Sequence, residues 1–175
     1  GIRDQPRSRG LGGVYKRQAL DALRKLGVTV TYAPGYSLKD EENRELEEQA
    51  LALAAGQKTV LFFGGLTDQY EGEGYDRESL AMPANQLHLL NKICEVSPNV
   101  VVVSFSGAPY DMAFENRVRG ILQMYLGGEA VGEACGELLT GRVNPSGKLA
   151  ESWPYAVEDL SLIHISEPTR PRLIS

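Results

Sequence analysis

Residues 70–77 read Tyr70-Glu71-Gly72-Glu73-Gly74-Tyr75-Asp76-Arg77, which sets three carboxylates, two phenols and one guanidinium in eight consecutive positions. Carboxyl groups can donate and accept protons at a reacting centre, and Glu73 stands between two glycines. Gly72 and Gly74 admit backbone angles closed to other residues, so Glu73 can be presented on a sharp bend. Tyr70 and Tyr75 offer flat faces of the kind that pack on sugar rings, with hydroxyls able to hydrogen-bond. Arg77 can pair with Asp76 or a neighbouring acid and fix the loop. The same residues also describe a solvated acidic turn held by an arginine salt bridge, and their chemistry alone leaves both readings open.

The elements around this stretch alternate between helix and strand. Leu20, Leu23 and Leu26 share one helical face over residues 19–26, and Gly27 can terminate that helix. Residues 28–32 are β-branched and run into Pro34-Gly35, which predicts a strand and a turn. A second helix is expected over 40–55, with acidic residues early in it as the helix dipole favours. Residues 59–63 form the continuous apolar run of a buried parallel strand. Pro83 can open a third helix whose inner face is Leu87, Leu90, Ile93 and Cys94. Further strands are expected at 100–105 and 120–125, and a last helix at 129–139 closed by Gly141. Alternation of this kind implies an α/β fold, flavodoxin-like, with a mainly parallel sheet and helices on both faces. Ligands of such sheets bind in loops beyond the carboxyl ends of the strands. Residues 64–82 and 106–116 occupy that position, and the first loop is far longer than the usual ~4–6 residues.

Composition narrows the function classes. Hydrophobic residues at 42% and charged residues at 23% suit an ordinary globular chain of 175 residues, and no apolar run approaches the roughly 20 residues of a membrane span. Cys94 and Cys135 read as small core residues, and with only His88 and His164 beside them no metal site is expected. No cofactor is implied either, because Gly127-Gly128 lacks the spacing of a phosphate-binding loop and reads as a strand-to-helix turn. Asn144-Pro145-Ser146-Gly147 reads as a connecting turn, Trp153 as a core anchor ahead of an interface residue, and Glu129 and Glu133 as one solvated or salt-bridged helical face.

The two ends carry a different signature. Val14-Tyr15-Lys16-Arg17-Gln18 can be written GTG TAT AAG AGA CAG, and the reverse complement of that string encodes Leu-Ser-Leu-Ile-His, the residues at 160–164. An inverted DNA repeat at both ends is the mark of transposon-end adapters, and residues 160–170 resemble continued translation of one. Residues 1–18 and 160–175 are therefore expected to be adapter-derived, and such segments are set aside in fold reasoning. They hold seven of the 18 basic and two of the 23 acidic residues, which leaves 19–159 with 11 basic against 21 acidic residues, a net charge of −10. That balance argues against nucleic acid, which needs clustered Lys and Arg. It suits a neutral substrate such as a sugar.

Several motifs in order resemble glycoside hydrolase family 3. Gly65-Leu66-Thr67, Glu73-Gly74-Tyr75-Asp76-Arg77 and Leu80-x-x-Pro83-x-x-Gln86 resemble its acid/base loop. Ser106-Gly107-Ala108-Pro109, Tyr125-Leu126-Gly127-Gly128-Glu129-Ala130, Gly132-Glu133-Ala134, Asn144-Pro145-Ser146-Gly147-Lys148-Leu149 and Trp153-Pro154 continue the match, which covers roughly residues 19–159.

The resemblance implies a fragment of the family's (α/β)6 sandwich domain, with an earlier strand and an N-terminal barrel domain both outside the chain. It implies a retaining, exo-acting β-glycosidase of β-glucosidase type acting on a β-linked glucoside or oligosaccharide. Its barrel supplies an aspartate nucleophile, and its sandwich supplies a glutamate acid/base about 5–5.5 Å away. Glu73 falls on that glutamate, with Glu71 the alternative, and Tyr70, Tyr75, Asp76 and Arg77 as residues that bind substrate or shape the loop. Glu73 must begin protonated, which requires burial or an ionised neighbour, so the site belongs to the assembled two-domain cleft and the chain alone is expected to be inactive. A non-catalytic flavodoxin-like binding or scaffold domain is the competing expectation. A cytoplasmic location is expected, with the native N-terminus outside the chain.

Overall fold

The computed structural model describes residues 11–72, 74, 77 and 79–155, and of residues 11–17 the backbone alone. Helix α1 spans Leu11–Lys25 and α2 spans Arg44–Ala55, after which strand β1 occupies Val60–Gly65. Helix α3, Ala84–Val96, leads into β2, Val100–Phe105; a single 3-10 turn at Glu115–Arg117 precedes β3, Gly120–Gln123, and α4 covers Val131–Leu139. The three strands pair in the order β1-β2-β3, all parallel, with Val60 opposite Val100 and Val101 opposite Gly120.

The alternation of side chains along β2 divides the core into two layers. Val100 and Val102 are fully buried with Phe62 against Ala54 of α2 and Leu90 and Ile93 of α3. Val103 and Phe105 point to the opposite face, where they meet Ala19 of α1 and Val131 and Cys135 of α4. Helices thus cover both faces of a parallel sheet, as the alternating sequence pattern requires. Each fully buried valine or leucine contributes roughly 1.5–3 kcal/mol relative to exposure, so β2, central and covered on both sides, is the stabilising spine. Cys94 and Cys135 are free thiols, half-buried and buried, within these layers.

Helix ends follow local chemistry. Gly27, at φ 82°, ends α1 with the paired bonds Gly27 N–H to Arg24 C=O and Val28 N–H to Leu23 C=O, and Gly141 ends α4 in the same way. Helix α2 begins at Arg44, later than the acidic run suggests, because Asn43 is the cap: its side chain accepts from Leu46 N–H at 3.1 Å. Helix α1, in turn, begins at Leu11, well before residue 19, and continues through residue 18 without a break. Its partner α4 can lie close because Gly132 has no side chain: a Cβ there would stand 2.5 Å from Gln18 Cβ.

One expected strand is absent. Residues 28–32 adopt no ladder, since a strand exists only with a hydrogen-bonded neighbour, and here a cleft of about 940 Å³ is lined by both residues 28–36 and the residues of β1. The carboxyl end of that β1 edge is closed by side chains instead. Tyr36 donates its hydroxyl to Phe63 C=O at 2.7 Å, and the buried Gln86 carboxamide pairs with both N–H and C=O of Gly65 at 3.0 Å each.

Candidate active site

Strand β1 delivers the chain to the long loop through Gly65, whose φ of 134° and crowding admit no side chain: a Cβ would sit 1.9 Å from Phe105 C=O. Past Gly65 the backbone turns at Thr67, whose carbonyl accepts from Tyr70 N–H at 2.8 Å and Glu71 N–H at 3.0 Å. That turn throws the Tyr70 and Glu71 side chains towards opposite neighbours.

Tyr70 packs half-buried against the α2–α3 core layer and gives its hydroxyl to Asp40. Burial and the Asp40 carboxylate push its phenol up to about 12, so the group stays protonated as the donor. Asp40 was expected to start α2. It instead adopts φ 54°, a conformation asparagine and aspartate tolerate better than most residues, and turns its carboxylate to the first N–H groups of α3. Asn85 N–H donates to Oδ1 at 2.7 Å and Ala84 N–H to Oδ2 at 3.2 Å. The helix that follows the loop is therefore capped by a residue 44 positions earlier, which also holds the loop's first tyrosine. Asn85 returns the contact, donating to Ser37 C=O at 2.9 Å.

Glu71 points the other way, to the loop beyond β2. Gly107 N–H donates to its Oε2 at 3.0 Å and Ala108 N–H to its Oε1 at 2.7 Å. Arg77 grips the next residue of the same loop by donating from its guanidinium to Pro109 C=O. Burial pulls the Arg77 guanidinium below its ordinary value, and the Glu71 carboxylate pushes it back. Farther along, Asp111 N–H donates to Leu80 C=O at 2.7 Å. The two loops at the carboxyl end of the sheet are thus stitched together at Glu71, Arg77 and Leu80. Between the first two stitches lie Glu73, Tyr75 and Asp76, which fall outside the described residues. Gly74 is described, at φ 114°, a conformation that favours glycine.

The β2 loop is itself braced from beneath. Tyr110 is fully buried, donates to Ser104 Oγ at 2.7 Å and meets the ring of Trp153 edge-on at 5.2 Å. Gln123 of β3 donates to Ser106 C=O at 2.9 Å and to its Oγ at 3.0 Å. Motif residues quoted from the sequence, Ser106, Gln86 and Trp153, so acquire physical roles beneath or beside the loop. Asp40 and Asn85 carried no local signal of theirs. Gly127-Gly128 leads into α4, which begins at Val131 and not at 129, so Glu129 and Glu133, both exposed, do not share a helical face: Glu129 lies in the turn before the helix. Among the described residues no group of three or more His, Cys, Asp or Glu side chains could hold a metal ion.

A parallel sheet covered by helices on both faces, with two long loops joined at the carboxyl ends of adjacent strands, defines an α/β domain of the class whose ligands bind at such loops. The chain belongs to glycosyl hydrolase family 3: residues 5–171 match the Glycosyl hydrolase family 3 C-terminal domain. It is 40% identical over 138 residues to Thermostable beta-glucosidase B of Acetivibrio thermocellus, covering 77% of this chain and 18% of that protein. It is 39% identical over 142 residues to an Exo-alpha-(1->6)-L-arabinopyranosidase of Bifidobacterium longum, covering 80% of this chain and 19% of the relative. The crystal structure of the Bifidobacterium adolescentis GH3 beta-glucosidase superimposes with a TM-score of 0.78 at 40% identity, over 82% of this chain and 22% of that one. The chain therefore spans about a fifth of the length of these relatives.

Proposed function

We propose that the chain is the part of a retaining, exo-acting β-glycosidase of β-glucosidase type that supplies the acid/base loop, with Glu73 as the acid/base. The nucleophile stands on a barrel domain outside this chain. The observation that carries the reading is the anchoring of both flanks of Glu73: Glu71 is fixed by two backbone N–H groups and Arg77 by a backbone carbonyl. A short stretch anchored on both sides of Glu73 suits an acid/base, which must be held in one geometry to act, better than it suits a solvated acidic turn. Its place at the carboxyl end of β1 and its kinship with enzymes named as glycosidases support the same reading.

In the first half-reaction the barrel carboxylate attacks the anomeric carbon of a β-linked glucoside or oligosaccharide. The bond to the leaving oxygen breaks with its electron pair, and the Glu73 proton passes to that oxygen. In the second, water attacks the same carbon, its proton returns to the Glu73 carboxylate, and the barrel carboxylate is released. Neither half-reaction needs a metal or cofactor.

The test is a pH profile of kcat/KM in the complete enzyme. A bell-shaped profile should lose its basic limb in Glu73→Gln, because that limb reports the loss of the acid's proton. A Glu73→Gln enzyme that keeps the limb would remove Glu73 from the reaction. Aryl β-glucosides and α-L-arabinopyranosides assayed side by side decide which of the two relatives' sugars the enzyme prefers.

A further inference from the structure

We infer that Glu71 is a positioning residue for the acid/base, acting as a clamp between the loop after β1 and the loop after β2. The inference rests on the reading of Glu73 above and adds the device that sets its place. Both Glu71 oxygens face backbone N–H groups, Oε2 that of Gly107 and Oε1 that of Ala108, at 3.0 and 2.7 Å. Hydrogen bonds to a charged acceptor are the stronger kind, and two parallel ones from successive residues fix orientation as well as distance.

The surroundings are shaped for this contact. Gly107 lies where a Cβ would press on Leu126 Cδ1 at 2.8 Å and stand in ordinary contact with Glu71 Oε1 at 3.5 Å. The gripped segment is rigid on its other side, since Ser106 accepts from Gln123 and the buried Tyr110 is held by Ser104 and Trp153. Arg77 continues the pattern on the carbonyl of Pro109. Consecutive residues 107–109 thus present two donors and one acceptor, met by an acid and a guanidinium that bracket Glu73 in sequence. Glu71 is two residues from Glu73 in sequence, so loss of the clamp frees the backbone next to the acid/base. The clamp thereby ties the loop that carries Glu73 to β2, the most deeply buried of the three described strands.

Three variants of the complete enzyme test this: Glu71→Ala, Glu71→Gln and Glu73→Gln. Hydrogen exchange should show the Gly107 and Ala108 amides opening faster in Glu71→Ala while the β2 amides keep their protection. On a glucoside with a poor leaving group, kcat should fall by about 10- to 100-fold with KM within a few-fold, the cost of a misplaced catalytic group. The basic limb of the pH profile should remain, because Glu73 is still present. Glu71→Gln keeps its length and one acceptor and should fall between Glu71→Ala and the parent enzyme. Faster amide exchange with unchanged kcat would make the contact merely structural and overturn the inference. Loss of the basic limb in Glu71→Ala would make Glu71 the acid/base itself, which also overturns it. Unchanged amide exchange would dismiss the clamp with Glu73 intact. A basic limb that survives Glu73→Gln would dismiss the acid/base reading, and the positioning role falls with it while the amide response persists.

Discussion

Asp40, at φ 54°, reaches two N–H groups of α3 and the hydroxyl of Tyr70 with one carboxylate. Removing a helix cap costs about 1 kcal/mol, and placing alanine in the left-handed region costs roughly 1–2 kcal/mol more. Asp40→Ala should therefore destabilise the chain by about 2–3 kcal/mol and Asp40→Gly by about 1 kcal/mol, since glycine accepts the backbone angle. Tyr70→Phe should cost about 1 kcal/mol, the net worth of a hydrogen bond. Urea denaturation checks these values. Because one carboxylate serves both partners, the Asp40→Gly and Tyr70→Phe effects should not add in the double variant, and strict additivity would show that the two contacts are independent. None of this was legible at Asp40, which sits in a run of acidic residues that reads as the first turn of α2. Its partners lie 30 and 44 or more residues away, and sequence spacing reports only neighbours. Glu71 is hidden for the same reason, its amide partners being 36 and 37 positions on.

Elements governed by local signals were readable. The strand at 100–105, the helix opening at Pro83, and the glycine stops at Gly27 and Gly141 each follow from residues adjacent in sequence. The buried face of α3 was readable only in part: Leu90 and Ile93 are in the core, but so are Asn85 and Gln86, which polarity assigns to solvent. Gln86 is buried because its carboxamide closes the end of β1, a role that depends on the sheet having an open edge there. Residues 28–32 have strand composition and no ladder, since pairing is a property of the neighbour as much as of the segment. At this scale the α1–α4 contact makes a sharp prediction. Alanine normally favours a helix over glycine by about 1 kcal/mol, yet Gly132→Ala would drive its Cβ to 2.5 Å from Gln18 Cβ and 2.6 Å from that residue's carbonyl carbon. It should lower stability by about 1–3 kcal/mol, the usual cost of overpacking. At Gly136 the nearest atom is Ala22 Cβ at 3.1 Å, so Gly136→Ala should lie near neutrality. Thermal melts of both variants check the pair, and equal effects would mean that helix propensity, not helix approach, decides.

At the scale of the molecule, the described residues form a sheet of three strands with β1 at one edge and a loop pair at its carboxyl end. Residues 14–18 and 160–164 can be encoded by the two readings of one inverted repeat, which bears on codons alone, whereas helix α1 carries on through residue 18. Cutting the chain to residues 14–155 is expected to leave Tm unchanged. Starting it at Ala19 should lower Tm, because Gln18 packs against Gly132. Equal melting of the two truncations would show that the contact with α4 begins only beyond residue 18.

General acid catalysis matters in proportion to how poor the leaving group is, and that makes Glu73→Ala in the complete enzyme the most direct measurement. Cleavage of disaccharides should fall by about 10²–10⁴-fold. Glycosylation by a dinitrophenyl glucoside, whose leaving group needs no proton, should be nearly spared, and deglycosylation should become slow because water has lost its base. Azide needs no deprotonation, so it should restore turnover and yield a β-glycosyl azide of retained configuration. Glu73→Ala with uniform losses across leaving groups and no azide product would contradict the account and place the acid/base outside this loop.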